Sequence, residues 1–375
     1  IILYSIGYRF DFQKNRVIPT GGMYLKALPK GVRVYIDDAL IKENTLTSLG
    51  TGIFIDNIQE KDYNVRVEKD GYSAWQKEVP VKNGLVTEFK YIFLLKKNPE
   101  TTLLGMKRIE DIRYPLSKIQ TLEKVLGVKI PAFEVDETKN TVFFLIKNNV
   151  YKFDEKAKAS SIVAKRALSF AYSAGTLYYL YEDGALFSLK GEETKKIAKL
   201  ELGEYKPNPN NSSIAIKVSS GGQIAMIYKG TLSLLNGAGG VFDVIDTNVR
   251  DFAFSTNGEK IVYQKTNALP NLTLNELWVY FLEGRIQPLI SSGDKELVYS
   301  TTANLDSASW FGPDEEQIIF VKHGEGIVAI EIDTRGGQNS ALWIRSENLK
   351  LYYDTITETL YYEEKDKVFS VKSEP

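Results

Sequence analysis

One pattern recurs six times between residue 130 and the C-terminus: an apolar strand, a polar turn and a second apolar strand. The first three pairs are Phe133-Glu134-Val135 with Val142-Phe143-Phe144, Phe170-Ala171-Tyr172 with Leu177-Tyr178-Tyr179, and Tyr205 with Ile214-Ala215-Ile216. Phe252-Ala253-Phe254 with Ile261-Val262-Tyr263, Ser309-Trp310-Phe311 with Ile318-Ile319-Phe320, and Leu351-Tyr352-Tyr353 with Leu360-Tyr361-Tyr362 complete the series. A third strand follows each pair, at residues 150–153, 185–189, 231–235, 277–280, 327–330 and 368–371. With Val142, Leu177, Ile214, Ile261, Ile318 and Leu360 taken as equivalent, successive spacings are 35, 37, 47, 57 and 42 residues. A strand-only repeat of about 40 to 45 residues cannot bury both faces of its own sheet, so the units must stack as four-stranded propeller blades.

A fourth strand is legible in most repeats, as in Ile197-Ala198-Lys199-Leu200 and Val241-Phe242-Asp243-Val244-Ile245. Only four residues follow Val371, so the last blade lacks one. An open sheet edge invites pairing with other chains, and residues 118–128 are expected to supply the missing strand. The reading is a six-bladed propeller over residues 118–375, or seven blades if residues 103–118 hide a degenerate strand pair. Ser255-Thr256-Asn257-Gly258 with its flanking strands resembles the turn of TolB- and WD-like propeller repeats, and Trp310-Phe311-Gly312-Pro313-Asp314 echoes it. The other four turns depart from that pattern.

Residues 19–97 follow a different rule. Short alternating runs at Met23-Tyr24-Leu25-Lys26, Val32-Arg33-Val34-Tyr35-Ile36-Asp37, Ile53-Phe54-Ile55, Tyr63-Asn64-Val65-Arg66-Val67 and residues 87–94 are separated by turn residues, without a helical stretch. That spacing predicts a small β-sandwich. Pro29-Lys30-Gly31-Val32, followed by Val34-Tyr35-Ile36-Asp37-Asp38 and later by Lys69-Asp70-Gly71-Tyr72 and Trp75, resembles a PEGA domain. Lys30, Val32 and Asp38 depart from the family's Glu, Ala and turn Gly. Each quoted residue also has a structural explanation: Pro29 and Gly31 suit a turn, and Tyr72 and Trp75 suit the cover of an open end of the sandwich. Glycan stacking is the functional alternative for Trp75. The resemblance implies a surface-exposed spacer or binding module outside the cytoplasm. Residues 98–117 read as a linker, where Pro115 stops any helical turn.

Residues 1–18 form a membrane-proximal segment. Ile1-Ile2-Leu3-Tyr4-Ser5-Ile6 followed by Tyr8 and Arg9 resembles the end of a membrane-spanning helix at the interface. Six or seven apolar residues cannot span by themselves, since roughly 20 are needed. The expectation is a truncated transmembrane anchor, an apolar edge strand being the alternative.

Composition narrows the chemistry. The chain of 375 residues has no Cys and one His, His323, which excludes thiolate metal clusters, thiol nucleophiles and any two-imidazole site. His323 falls in the hairpin between the second and third strands of the fifth repeat, without a Gly-x-Ser-x-Gly elbow to serve. The Gly-rich runs at residues 219–222 and 237–240 lack a following Lys-Ser/Thr and read as hairpin loops. Asp37-Asp38, Glu182-Asp183 and Glu363-Glu364 are adjacent in sequence, and adjacent positions on a strand point to opposite faces, so spacing alone does not make them paired acids. Residues 354–358 have no calcium-loop spacing, and Asn210, Asn211 and Asn271 meet the glycosylation triplet but read as turn residues. No catalytic, cofactor-binding or metal-ligating residue is assigned.

The 47 Lys and Arg nearly cancel 48 Asp and Glu, so no nucleic acid is expected as a partner. Residues 1–97 carry 15 basic and 11 acidic side chains, leaving 32 and 37 in the rest. The functional expectation is a non-catalytic, membrane-anchored, extracytoplasmic binding or scaffolding protein of the bacterial envelope, with a protein or cell-wall glycan as partner. The insertions at residues 266–275 and 283–308 mark the expected binding loops. The alternatives are an envelope-complex subunit of the TolB kind and a lyase or hydrolase using carboxylates and tyrosines in the propeller channel.

Overall fold

The computed structural model describes residues 8–11, 15–43, 52–105, 109, 112, 122–124, 126–128, 130, 133–136, 141–154, 156–202, 214–237, 240–311, 317–346, 350–354, 357 and 359–372. The chain is all-β and divides into two compact units. One comprises Ile1–Gly105, Gly284–Ser291 and Asn304–Pro375; the other comprises Met106–Glu283 and Ser292–Ala303.

The first unit begins with a sandwich. Its strands are β1 (Tyr8–Asp11), β2 (Arg16–Leu28), β3 (Arg33–Ile36), β4 (Ala39–Glu43), β5 (Gly52–Gln59), β6 (Lys61–Glu68), β7 (Trp75–Val81) and β8 (Val86–Phe93). One sheet joins β2 to β1 and β5 antiparallel and to β8 parallel, and the other runs β4-β3-β6-β7. Strict alternation sends Tyr63, Val65 and Val67 of β6 inward with Met23, Leu25, Val34, Val79, Phe89 and Ile92. Each such side chain contributes roughly 1.5–3 kcal/mol by leaving water. β7 shows the same alternation, Trp75, Lys77, Val79 and Val81 being buried and Gln76 and Glu78 exposed. Strands β4 and β7 are additional to those read from the sequence.

Next in the chain is β9 (Thr101–Leu104). The second unit then carries four antiparallel sheets in simple chain order. They are β10 (Phe133–Asp136), β11 (Thr141–Ile146), β12 (Asn149–Asp154) and β13 (Ala159–Lys165); then β14 (Ala167–Ser173), β15 (Thr176–Tyr181), β16 (Ala185–Lys190) and β17 (Glu193–Lys199). After them come β18 (Ile214–Val218), β19 (Ile224–Tyr228), β20 (Thr231–Asn236) and β21 (Val241–Asp246), and β22 (Val249–Phe254), β23 (Lys260–Leu269), β24 (Leu272–Phe281) and β25 (Lys295–Thr301). Burial falls across each sheet, from a second strand such as β11 or β19 that is mostly buried to a fourth such as β13 or β17 that is mostly exposed. That gradient is the one expected of propeller-type blades stacked through their inner strands.

The first unit contains the remaining two sheets. The fifth is β26 (Leu305–Phe311), β27 (Ile318–His323), β28 (Gly326–Glu331) and β29 (Ser340–Arg345). The sixth is β30 (Lys350–Asp354), β31 (Thr359–Glu364) and β32 (Lys367–Lys372), completed by β9. β9 pairs antiparallel with β32 from Val368↔Leu104 to Val371↔Thr101. The strand closing the last sheet therefore comes from residues 101–104, inside the stretch read as a linker, and not from 118–128. The described residues of that latter segment include a helical stretch at 122–124.

Two more readings change. In the third repeat Ile214–Val218 is the first strand and Ile224–Tyr228 the second, so Ile214 is not equivalent to Val142; Tyr205 lies outside the described residues. The insertion at 266–275 is no loop: β23 and β24 remain paired from Thr266↔Asn275 to Leu269↔Leu272, leaving Pro270-Asn271 as a two-residue turn. Likewise the span 283–308 contains β25 and the start of β26.

Candidate functional site

Lys77 occupies an inward position of β7 between Trp75 and Val79, where alternation calls for an apolar residue. Its side chain has no exposure. A buried ammonium is costly unless paired and fully hydrogen-bonded, and its partners come from the fifth sheet. Lys77 Nζ lies 3.3 Å from Glu331 Oε2 at the end of β28 and donates to the Asp333 carbonyl. The same carboxylate oxygen accepts from Trp75 Nε1 at 3.0 Å and from Asn339 Nδ2 at 3.0 Å. Burial pushes the Glu331 carboxyl up to about 7, against the opposing pull of Lys77 and Asn339.

Backbone contacts reinforce this seam. The Glu78 amide donates to the Gly336 carbonyl at 2.9 Å, and the Gln76 amide donates to Asn339 Oδ1 at 3.3 Å. Gly336 has φ of 65°, and a Cβ there would stand 1.8 Å from the Glu78 carbonyl oxygen. The position thus requires Gly for both conformation and space. Arg335 grips Asp333 through Nε and Nη2, donates to the Glu88 carbonyl at 2.9 Å and lies over the Phe89 ring at 4.4 Å. β28 is buried along its whole length, unlike the third strands β12, β16 and β20. A cavity of about 50 Å³ remains beside Trp75, Glu331 and Asn339. The arrangement has no free acid or base: it locks the sandwich to the fifth sheet.

Two further carboxylates, Asp246 and Asp136, are similarly committed. Asp246 accepts from Lys265 at 2.7 Å and from Tyr263 at 2.9 Å, with Lys295 3.8 Å away. Burial works against its charge, yet the hydrogen bonds from Lys265, the Thr247 amide and Tyr263 keep its carboxyl below the usual range. Burial, then Asp246, raises the Tyr263 hydroxyl. Tyr172 donates to Asp136 and is raised by burial and that carboxylate. These are tyrosines held protonated by structure, not activated ones.

The residues singled out from sequence are scattered. His323 ends β27 opposite Gly326. Trp75 is buried and meets Phe89 edge-on at 5.2 Å, so its rings are not presented for glycan stacking. Glu182 pairs with Arg166, and the Asp183 carboxylate accepts from the Ala185 amide in the turn. Asp354 accepts from Thr357. Residues 219–222 form a tight turn between β18 and β19, while Asn210 and Asn211 lie outside the described residues. Among the described residues no group of three or more His, Cys, Asp or Glu could hold a metal. Sequence reasoning missed Lys77 and Glu331, though a Lys at an inward strand position was a usable signal for the first.

Residues 20–95 match the PEGA domain model, and the sandwich is a PEGA domain; propeller-type sheets follow it. No curated protein matches the chain. Among solved structures, the extracellular domain described as that of a hybrid two-component system from B. thetaiotaomicron is 12% identical with a TM-score of 0.44. The likeness covers 84% of this chain and 37% of that one, so this chain spans little more than a third of its length. An auxiliary nutrient binding protein from Bacteroides thetaiotaomicron is 10% identical, TM-score 0.33, over 92% of this chain and 91% of that one. TolB from Acinetobacter baumannii is 8% identical, TM-score 0.35, over 83% and 60%. At such scores these likenesses carry no argument about function. Among the described residues no helix is long and apolar enough to cross a membrane.

Proposed function

We propose that this chain is a non-catalytic, extracytoplasmic presenting protein, in which a membrane-proximal PEGA sandwich (residues 19–97) holds propeller-type sheets toward a macromolecular partner. The observation that carries the reading is the Lys77–Glu331 seam. A flexible spacer has no use for a buried ion pair, whose desolvation cost makes it a device for fixing one orientation rather than for stability. The matched PEGA domain supports a place outside the cytoplasm, and the apolar segment before β1 supports an anchor upstream.

The partner's contact is assigned to the β23–β24 hairpin, whose strands have ten residues each against five and six in β19 and β20 of the third repeat, and which ends in Leu269 and Leu272, 47% and 44% exposed. Exposed leucines on a stiff two-stranded arm are a typical protein contact. The test replaces residues 268–273 with Asn-Gly, which removes both leucines and keeps the buried Asn275 and the Asn267↔Leu274 pair, and compares capture of envelope proteins from a detergent extract. Capture should fall at least about tenfold with the melting temperature little changed, as expected for loss of a contact centre; undiminished capture overturns the assignment. A glycan is the second reading, favoured by an open groove of about 460 Å³ lined by Tyr228, Phe242, Lys199 and Glu201. Titration with soluble wall fragments, read by Tyr228→Ala, separates the two.

A further inference from the structure

The segment between β24 and β25 contains the most exposed aliphatic side chains of the molecule's described apolar surface: Ile286 and Leu289, at 87% and 86%. They sit in a tight turn closed by reciprocal backbone bonds, Arg285 amide to Ile290 carbonyl at 2.8 Å and the reverse at 3.1 Å. The turn does not hang free. The Gln287 side-chain amide donates to the Val86 carbonyl at 3.2 Å and accepts from the Glu88 amide at 2.9 Å, so it pairs with β8 as another strand would. With Gln287 held against the sandwich, Ile286 and Leu289 are fixed outward. Leu85, 62% exposed, and Val86, 36% exposed, stand at the start of that same β8.

Their position in the sandwich indicates what covers them. The turn carrying Leu85 is tied to β2: the Gly84 amide donates to the Thr20 carbonyl, and the Gly22 amide to the Leu85 carbonyl. One residue before Thr20, Pro19 is paired with Tyr8, the first residue of β1. Tyr8 is thus held at the same stretch of β2 as the turn carrying Leu85 and Val86, and the sequence leading to Tyr8 is the apolar Ile1-Ile2-Leu3-Tyr4-Ser5-Ile6. Four outward aliphatic side chains beside a strand that an apolar sequence leads into match a bilayer surface. Lys82, 64% exposed in the same turn, suits the headgroup level.

We propose that Leu85, Val86, Ile286 and Leu289 form a lipid-contacting foot that seats the PEGA sandwich on the membrane. The inference rests on the anchored reading above, and the experiment separates the two. Because the chain has no cysteine, Ile286→Cys and Leu289→Cys each give one site for an environment-sensitive fluorophore, with Val244→Cys, an exposed position of β21, as control. The chain is tethered through an amino-terminal polyhistidine tag to vesicles of phosphatidylcholine, with or without phosphatidylglycerol, containing a nickel-chelating lipid. Tethering makes the measurement independent of whether the natural chain is anchored.

The expected result is a blue-shifted, brighter signal at 286 and 289, quenched by lipid-borne quenchers, with no change at 244. Ile286→Asp with Leu289→Asp should lower residual vesicle binding after tag cleavage by about tenfold or more, given the transfer cost of two aliphatic side chains, while thermal melting stays unchanged. Unshifted probes at 286 and 289 on tethered protein overturn the foot and leave the anchor standing. A shift on raising protein concentration without vesicles also overturns it, with a second copy as the occupant.

Discussion

Asp37 and Asp38 both have positive φ, 49° and 63°, at the two-residue turn between Ile36 and Ala39. Such turns favour Asn or Asp first and Gly second. Asp37 has a task in that conformation, since its carboxylate accepts from Lys61 at 2.6 Å and the Asn64 amide at 3.1 Å. Asp38 is exposed, with Arg66 3.7 Å away. Asp38→Gly should therefore stabilise the sandwich by about 0.5 kcal/mol, relief of left-handed strain outweighing the added freedom of the unfolded chain; urea unfolding measures it. Glu331 gives a pH prediction of definite sign. Its carboxyl is raised to about 7 in the folded chain from an ordinary 4.5, so folding favours the protonated form. Stability should be highest below the ordinary value and decline by on the order of 3 kcal/mol as pH rises from about 4.5 to 7. Glu331→Gln should flatten the profile over that window, while costing roughly 3–5 kcal/mol at pH 8 because Lys77 is left unpaired. Denaturant melts at pH 5 and 8 decide it, an unchanged slope in the variant counting against Glu331 as the titrating group.

Two turns explain how far the repeat was legible as a set of elements. In the fourth sheet the Ser255 hydroxyl accepts from the Lys260 amide at 2.9 Å, and the Gly258 amide donates to the Ser255 carbonyl at 2.9 Å. In the third sheet Ser219 repeats the arrangement with the Gln223 amide at 3.0 Å and the Gly222 amide at 3.0 Å. Both serines are 2% exposed, so Ser→Ala at either should cost about 1–2 kcal/mol by leaving a buried amide unsatisfied, read as a lowered denaturation midpoint. The Phe-Ser-Thr-Asn-Gly wording made the Ser255 turn visible. Ser219-Ser220-Gly221-Gly222 performs the same role in words that resemble a loop, and missing it shifted the third repeat by one strand. Sheet periodicity and core were legible because alternation is local and directly sets which face is buried. The extension of β23 and β24 was not, because Thr266, Asn267 and Asn275 are polar and only pairing across the hairpin makes them strand.

At the scale of the whole chain, what escaped sequence reading is what joins distant segments. Trp75 and Glu331 are 256 residues apart, and no local pattern links them. β9 is hidden for a related reason: Thr101, Thr102 and Leu103 are exposed and Leu104 only half-buried, so the strand has no apolar alternation to betray it and exists through its ladder with β32. That ladder covers the edge of the sixth sheet with chain from the end of the sandwich. It ties the last sheet to a segment more than 260 positions earlier, as the register Val368↔Leu104 shows. An uncovered β32 would present a row of free amides and carbonyls, a template for another copy. Replacing Thr101-Thr102-Leu103-Leu104 by Gly-Ser-Gly-Ser keeps the chain length while weakening strand formation through lost side-chain packing and greater backbone freedom. The variant should melt several degrees lower, consistent with a loss of about 1–2 kcal/mol, and should self-associate as concentration rises, where the parent chain does not change its state over the same range. Light scattering reads the association and hydrogen exchange reads the β32 amides. If those amides stay protected in a variant that does not associate, some other segment closes the sheet.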